Sequence, residues 1–284
     1  AGDIVSLAGM SKATVADTIA DQSVEDPIPA QPIDPPTITV TFGINDSPLA
    51  GRDGKKVQSR VIRDRLLKEC ESNVAIKMVD TPGGEAFDVS GRGELQMGVL
   101  IENMRREGFE LSISRPRVIY KDVDGVKNEP IEEVTIDVDE EFSGAVIEKL
   151  SSRKGEMVDL KSSGSGKTRI IALVPSRGLI GYHSEFMTDT RGTGILNRVF
   201  HSWSPHKGSI AGRRQGVLIS MENGSSVAYA IFNLEERGKF FIGSGEEVYE
   251  GMIIGEHNRD NDLEVNPLKG KKLTNIRASG NDEA

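Results

Sequence analysis

The feature that most constrains the fold is an order of hydrophobic periodicities that occurs twice along the chain. In the first copy, apolar side chains that alternate at Ile38, Val40 and Phe42 predict a strand. The pattern then predicts a helix at Lys56–Glu71, strands at Asn73–Val79 and Glu85–Ser90, a second helix, and a strand at Phe109–Ser114. The order strand–helix–strand–strand–helix–strand is that of a ferredoxin-like α+β domain.

The two helices of this copy are recognised by apolar stripes that recur every three or four residues, which is the helical period. The first stripe comprises Val57, Val61, Ile62, Leu66 and Cys70, and the second comprises Met97, Leu100, Ile101 and Met104. Gly108 follows the second stripe and can take the left-handed conformation that ends many helices. We expect both stripes to lie in the core.

The same order of elements recurs in the second copy. Val134, Ile136 and Val138 alternate in a strand, and a helix that carries Val146, Ile147 and Leu150 follows, with Ser143 as its expected cap and Gly155 at its end. The remaining elements are expected as strands at Glu156–Lys161 and Thr168–Pro175, a helix at Gly178–Thr190 and a strand at Ile195–Trp203. The chain is therefore predicted to contain two consecutive ferredoxin-like domains.

The sequence pattern changes after Lys207. Glycines are scattered there among short runs that favour β-strands, at Gly216–Met221, Ser226–Leu234 and Glu247–Gly255. A loop is expected at His257–Asn266. The expected organisation is a segment ending in a proline-rich linker over residues 1–35, ferredoxin-like domains over 36–117 and 118–205, and a β-rich domain over 206–284. The fold class is multidomain α+β.

Particular stretches of the chain resemble translational GTPases of the elongation factor G class. The segment GGEAFDVSGRGELQMGVLIENMRREGFELSISRPRVIYKD resembles the third domain of these factors, and EPIEEVTIDVDEEFSGAVIEKLSSRKGEMVDL resembles the fifth. The opening AGDIVSLAGMSKATVADTIAD resembles the last strands of the β-barrel second domain, so the resemblance makes residues 1–35 a remnant of that barrel and a linker. Because the chain opens on such a stretch, it is expected to be a piece of a longer protein.

Two departures from elongation factor G narrow the resemblance. Only the stretch Val118–Pro130 separates the parts that resemble the third and fifth domains, so the fourth domain is missing. The segment after Pro205, which ends in LKGKKLTNIRASG, has no counterpart in elongation factor G. Both departures are typical of the BipA/TypA family, and the chain resembles its C-terminal portion.

This resemblance implies a ribosome-binding function. It implies that the full-length protein is a GTPase whose GTP and Mg²⁺ bind in an N-terminal domain outside this sequence, and that this portion carries no cofactor. The implied partners are the 50S and 70S ribosomal particles, 23S ribosomal RNA and the acceptor end of transfer RNA. The implied role is assembly of the large subunit and translation under stress, by a cytoplasmic, monomeric protein that binds no membrane.

Motifs that would indicate catalysis are incomplete. KSSGSGKT at Lys161–Thr168 lacks the first glycine of a P-loop, which should stand at Lys161, and it joins two predicted strands rather than a strand and a helix. SGRGEL lacks the third glycine of a dinucleotide-binding turn, at Gln96. The four histidines are scattered, and Cys70 is the only cysteine. No catalytic, cofactor-binding or metal-binding residue is predicted, and this portion is not expected to be an enzyme.

Positive charge is concentrated in two places although the formal net charge of the chain is −9. The segment from Pro267 to Gly280 contains cations and polar donors but no acid, and these are Lys269, Lys271, Lys272, Thr274, Asn275 and Arg277. A second segment combines an aromatic ring with cations: Trp203, Lys207, Arg213 and Arg214. Rings can stack on bases while cations meet phosphates, so both are candidate nucleic-acid-binding sites. The alternatives are a solvated loop for the first segment and an interdomain junction for the second.

Two other classes of function compete with ribosome binding. Ferredoxin-like pairs also occur as regulatory modules that dimerise or bind a small ligand, and a catalytic site of an unrecognised type would make the chain an enzyme. Binding to ribosomal particles across salt concentrations distinguishes the three hypotheses.

Overall fold

The computed structural model describes residues 2–10, 13, 17–29, 34–164, 166–210 and 215–270. The chain divides into two compact units, one formed by residues 1–46 and 53–210 and the other by residues 47–52 and 211–284. The described residues that precede Ile38 form no helix or strand. The interpretation of residues 1–35 as a barrel remnant therefore stays a prediction.

The first half of the first unit is an antiparallel sheet with two helices. Its elements are β1 (Ile38–Ile44), α1 (Ser59–Ser72), β2 (Lys77–Asp80), β3 (Ala86–Gly91), α2 (Glu94–Arg106), β4 (Leu111–Ile113) and β5 (Arg117–Val118). The strands lie in the order β2–β3–β1–β4, and β5 pairs with the other end of β1. Each helix joins two strands that are not neighbours, which is the ferredoxin-like arrangement expected from the periodicity.

The core of this sheet is formed by alternate residues of the strands and by the helix stripes. Ile38, Val40 and Phe42 are almost fully buried, as are Ile62, Leu66, Met97, Leu100 and Met104. The expected stripe of α1 is wrong at its start, because the helix begins at Ser59 and not at Lys56. Val57 therefore precedes the helix, and Val57 and Val61 are exposed. Cys70 and Ile101 are half-buried against the same core.

The second half of the first unit repeats the arrangement with longer strands. Its elements are β6 (Lys121–Val123), β7 (Val126–Asp139), α3 (Glu140–Ser152), β8 (Glu156–Ser163), β9 (Lys167–Pro175), α4 (Ser176–Leu179), α5 (Tyr182–Asp189) and β10 (Ile195–Pro205). The strands lie in the order β10–β7–β9–β8, and β6 pairs with the start of β7. Val134, Ile136 and Val138 face a core that Val146, Leu150, Tyr182 and Phe186 complete from the helices. The second ferredoxin-like arrangement is therefore confirmed.

Gly155 follows the end of α3 as expected, but it is not the left-handed residue that ends the helix. The left-handed residue is Lys154 (φ 65°), and the N–H groups of Lys154 and Gly155 donate to the carbonyl oxygens of Ser151 (3.0 Å) and Leu150 (2.8 Å). This is a Schellman motif with Gly155 one residue beyond the left-handed position. A Cβ at residue 155 would lie 2.8 Å from the Leu150 carbonyl oxygen, so glycine is needed there for close approach.

The start of α3 also differs from the expectation. Ser143 does not cap the helix, because α3 begins at Glu140 and Asp139 takes the cap position. The Ser143 hydroxyl instead donates to the carbonyl oxygen of Glu140 at 2.7 Å. The helix start was therefore predicted too late.

The helix expected at Gly178–Thr190 is broken into α4 and α5. The break lies at Ile180 and Gly181, where Ile180 is extended and Gly181 has φ 71°. A left-handed residue cannot continue a right-handed helix, and glycine tolerates that conformation without the penalty a side chain brings. The turn brings Ile180 out of the second core and against the first.

The second unit is smaller and contains a helix that the β-prone sequence did not predict. Its elements are β11 (Val217–Ser220), β12 (Gly224–Ser225), α6 (Ala228–Leu234), a 3₁₀ turn (Glu235–Arg237), β13 (Gly238–Phe240), β14 (Glu247–Val248), β15 (Ile253–His257) and β16 (Leu263–Val265). The larger sheet has the order β13–β15–β11–β16, with β11 and β16 parallel, and β12 pairs with β14. Leu218, Val248, Ile254 and Val265 form its core.

Two expectations for this unit are wrong. The run Ser226–Leu234 is not a strand but mostly α6, and the expected loop His257–Asn266 contains β16. The run Glu247–Gly255 is divided between β14 and β15. The unit is nevertheless rich in strands, and the fold class of the chain as a whole, α+β with several antiparallel sheets, is confirmed.

Candidate nucleic-acid interface

Trp203 lies near the end of β10. It is paired with Pro130 of β7, after a bulge between Phe200 and Ser202. Its ring centroid is 5.8 Å from that of Phe200, and its side chain is half-buried. Part of the indole is therefore accessible for stacking, which is the requirement for contact with an unpaired base.

In the part of the chain that the structure describes, Lys121 lies over the Trp203 ring, although the sequence analysis did not group it with Trp203. The Lys121 ammonium nitrogen lies 4.1 Å from the centroid of the indole ring. The register explains this contact, since Lys121 is opposite Asn128 and Asn128 lies on the same face of β7 as Pro130. No ion pair of Lys121 with a carboxylate is seen among the residues the structure describes.

The hairpin that carries Lys121 has a second cation–aromatic pair on its opposite face. The Lys127 ammonium nitrogen lies 3.7 Å from the centroid of the Tyr120 ring, and that ring is 5.8 Å from the ring of His206. The hairpin turns at Asp124 and Gly125, which both have positive φ. Sequence reasoning treated this stretch only as a spacer, although Asp-Gly between alternating residues is a strong hairpin signal that could have revealed it.

Lys207 contributes to the structure of the sheet end. Its ammonium nitrogen is 2.8 Å from a carboxylate oxygen of Glu156, and its backbone N–H donates to Glu129 Oε1 at 2.7 Å. Glu129 is fully buried and also accepts hydrogen bonds from Nε and Nη2 of Arg177. Burial by itself raises the pKa of Glu129, but the hydrogen bonds from Arg177 and the Lys207 backbone bring it below the usual value. The ammonium group of Lys207 is therefore already paired with a carboxylate of the same ferredoxin-like arrangement.

Most of the predicted basic site lies outside the described residues. These residues are Arg213, Arg214, Lys271, Lys272, Thr274, Asn275 and Arg277. Lys269 is described and exposed, and it lines a groove of about 570 Å³ together with Tyr229, Asn233 and Arg237. Trp203 and Lys269 belong to different units, so the two candidate sites are treated as separate.

Three kinds of feature that the sequence raised can be compared with the described part of the chain. No group of three or more His, Cys, Asp and Glu side chains within it could hold a metal ion. The segment KSSGSGKT contains the end of β8 and the start of β9, which pair up to Ser163 and Lys167, so it joins two antiparallel strands as expected. Among the same residues, no helix is long and apolar enough to cross a membrane.

Two protein-family models match the chain. Residues 126–214 match the model described as "Elongation factor G C-terminus", and residues 215–284 match "TypA/BipA C-terminal domain". The first match begins at β7 and so contains all of the second ferredoxin-like arrangement except β6. Neither matched model is a GTP-binding domain.

Curated relatives match over the whole chain. Proteins named "Large ribosomal subunit assembly factor BipA" are 52% identical in Bacillus subtilis (strain 168) and Escherichia coli (strain K12) and 53% identical in Haemophilus influenzae. Each alignment covers 100% of this chain but only 46–47% of the relative, so the chain spans about half the length of the curated relatives it matches. The matched part is their C-terminal part, and the chain belongs to the TypA/BipA family.

Proposed function

We propose that this chain is the ribosome-binding part of a translational GTPase that assists assembly of the large ribosomal subunit in the cytoplasm. The observation that carries the proposal is 52% identity over all 284 residues with a protein named large ribosomal subunit assembly factor. GTP and Mg²⁺ bind elsewhere in the full-length protein in this proposal, and the 284-residue chain supplies the surfaces that contact the particle. It acts as a monomer.

The first proposed contact is the basic segment. Lys269, Lys271, Lys272 and Arg277 meet phosphates of 23S ribosomal RNA and of the acceptor end of transfer RNA, while Thr274 and Asn275 donate hydrogen bonds. The support is the distribution of charge, since four cations without an acid occur in a chain with net charge −9. The exposed position of Lys269, at the start of this segment, agrees with an accessible site.

The second proposed contact is centred on Trp203. Its partly accessible ring can stack on an unpaired base, and Lys121 can reach an adjacent phosphate because the lysine stem is flexible. Lys207 contributes less here, since its ammonium group is already paired with Glu156. Arg213 and Arg214, which the sequence analysis groups with Trp203, lie outside the described residues.

The experiment is a titration of isolated 50S and 70S particles with the 284-residue chain at several salt concentrations. The test variant replaces Lys269, Lys271, Lys272 and Arg277 with alanine. For each cation that binds a phosphate, its removal should reduce the slope of log affinity against log salt by about 0.7–0.9. A matched control removes four exposed cations from the first ferredoxin-like domain, namely Lys55, Arg60, Lys68 and Lys77.

We expect weaker binding and a shallower slope for the test variant, and little change for the control. Equal weakening in both variants would mean that only overall charge matters and would reject the basic segment as a site. If the wild-type chain bound neither particle but sedimented as a dimer, the regulatory-module hypothesis would replace ribosome binding. A Trp203→Ala variant separates the second contact from the first.

A further inference from the structure

The break between α4 and α5 lies where the two ferredoxin-like domains meet. Ile180 belongs to the chain segment of the second domain, but its side chain packs against the hydrophobic core of the first. The neighbouring Gly181 donates its backbone N–H to Glu94 Oε1 at 2.7 Å, and Glu94 is the first residue of α2. One short turn thus makes both an apolar and a charge-assisted contact with the other domain.

A second contact joins the same end of α2 to the second sheet. Arg198 of β10 lies close to Gly93, where an added Cβ would be 2.9 Å from Arg198 Nη2. The Arg198 Nε atom is also 3.6 Å from a carboxylate oxygen of Glu132, a buried residue of β7. Arg198 therefore fills the space between Gly93 and Glu132, and a side chain at residue 93 would displace it.

These contacts with the first domain explain the break between α4 and α5, which packing within the second domain does not explain. Leu179, Tyr182 and Phe186 of this segment are buried in the core of the second domain, whereas Ile180 does not belong to that core. The left-handed conformation of Gly181 instead turns Ile180 toward the first core and aims the Gly181 N–H at Glu94. The break costs helical hydrogen bonds, and the contacts across the junction offset that loss.

We propose that the Ile180–Gly181 turn is an interdomain latch that holds the two ferredoxin-like domains as one rigid body. Rotation of one domain against the other would require Ile180 to leave an apolar core and Gly181 to lose its carboxylate partner. Interfaces between domains of one chain otherwise allow relative motion by default. The latch thus fixes the spacing between any surfaces that the two domains present to a common partner.

The test measures the distance between the domains with two nitroxide labels. Ser72 at the end of α1 and Glu148 on α3 are both exposed, and each is replaced by a cysteine that carries a label. Cys70 is replaced by alanine so that only the two introduced cysteines react. Pulsed electron resonance should give one narrow distance distribution for the otherwise unchanged chain. The latch variant Ile180→Ser with Glu94→Gln should broaden the distribution at least twofold in width.

The control variant is Ile147→Ser, which alters a partly buried isoleucine that packs within the core of the second domain. Broadening in the latch variant alone supports the latch. Equal broadening in both variants, or a distribution as narrow as that of the parent in the latch variant, would overturn it. Glu94→Ala provides an independent measurement if the latch variant does not fold, since it removes the acceptor of the Gly181 N–H. In this variant the hydrogen exchange of the Gly181 amide should accelerate at least tenfold, and an unchanged rate would also overturn the proposal.

Discussion

Replacement of Arg177 by alanine should destabilise the sheet that carries Trp203 by about 3–5 kcal/mol, which is the usual cost of leaving a buried charge without its partner. Glu129 is fully buried, and its carboxylate accepts three described hydrogen bonds, two of which Arg177 donates. In the variant only the Lys207 N–H would remain. Trp203 is the only tryptophan in the sequence and lies on β10 of the same sheet, so its fluorescence in a urea titration reports on this region directly.

The same variant has a characteristic pH dependence. In the wild type the pKa of Glu129 is lowered, so its stabilising contribution is present above the ordinary pKa of 4.5 and is lost as pH falls through the lowered value. Without Arg177, burial is opposed by fewer hydrogen bonds and charges, so we expect the pKa of Glu129 to rise. The variant is then destabilised most above the pKa of Glu129 and recovers as pH falls through it, so the difference from wild type should shrink on acidification.

The control is Arg105→Ala, which breaks an exposed pair with Glu102 and should leave the urea midpoint nearly unchanged, because water and salt screen such a pair. A cost for Arg177→Ala that equals the control and does not vary with pH would refute the reasoning. Glu129→Gln combined with Arg177→Met should recover part of the stability, because neither partner is then left charged and buried.

Three further predictions concern stability and are checked by the same titration. Leu100→Ala should cost about 2–5 kcal/mol as a cavity in the first core, whereas Leu95→Ala, on the exposed side of the same helix, should change stability by less than about 0.5 kcal/mol. Lys154→Gly should be neutral or stabilising by up to about 1 kcal/mol, because glycine tolerates the left-handed backbone of residue 154 better than lysine does. Gly155→Ala should be destabilising, because the added Cβ would lie too close to the Leu150 carbonyl oxygen. The opposite order of stabilities would contradict the geometry of the helix end. Burial raises the pKa of Glu132, so the free energy of unfolding should increase as pH falls from above the raised pKa toward 4.5. Glu132→Gln should remove this pH dependence of stability. An unchanged dependence of stability on pH would count against the burial of Glu132.

The sequence predicted most of the first unit because its elements are long enough for their periods to be read. Alternation at Val134, Ile136 and Val138 and the stripe through Leu100 and Met104 each bury one face, and the structure buries the same residues. The glycine after α2 also behaves as predicted, since Gly108 is left-handed. Local patterns sufficed here because each element packs against its own sheet.

The parts that were missed depend on contacts that local patterns do not reveal. The break at Gly181 is explained by a core in the other domain, which periodicity within one helix cannot show. The helix α6 was read as a strand because of its aromatic and β-branched residues. Its inward residues are nevertheless Val227, Ala230, Ile231 and Leu234, a spacing of three and four that is helical.

The candidate site was predictable only in composition. Clustered cations and an indole are visible in the sequence, but the partner of Trp203 is set by strand register, which places Lys121 over its ring. Likewise, nothing in the local sequence shows that the Lys207 backbone donates to a buried glutamate 78 positions earlier in the chain. Charge patterns indicate that a surface can bind an anion, whereas pairing within the fold decides which cations are available.

The long strand β7 has a consequence for synthesis of the chain. It pairs with β6 at its start, but the rest of its edges are covered by β9 and β10, which end as late as Pro205. During translation the edges of β7 therefore stay open until most of the domain has emerged, and open edges invite pairing between nascent copies. The carboxylates along β7, such as Glu132, Glu133 and Asp137, would repel a second copy of the same strand. The acidity of this strand thus protects the polypeptide before it is folded.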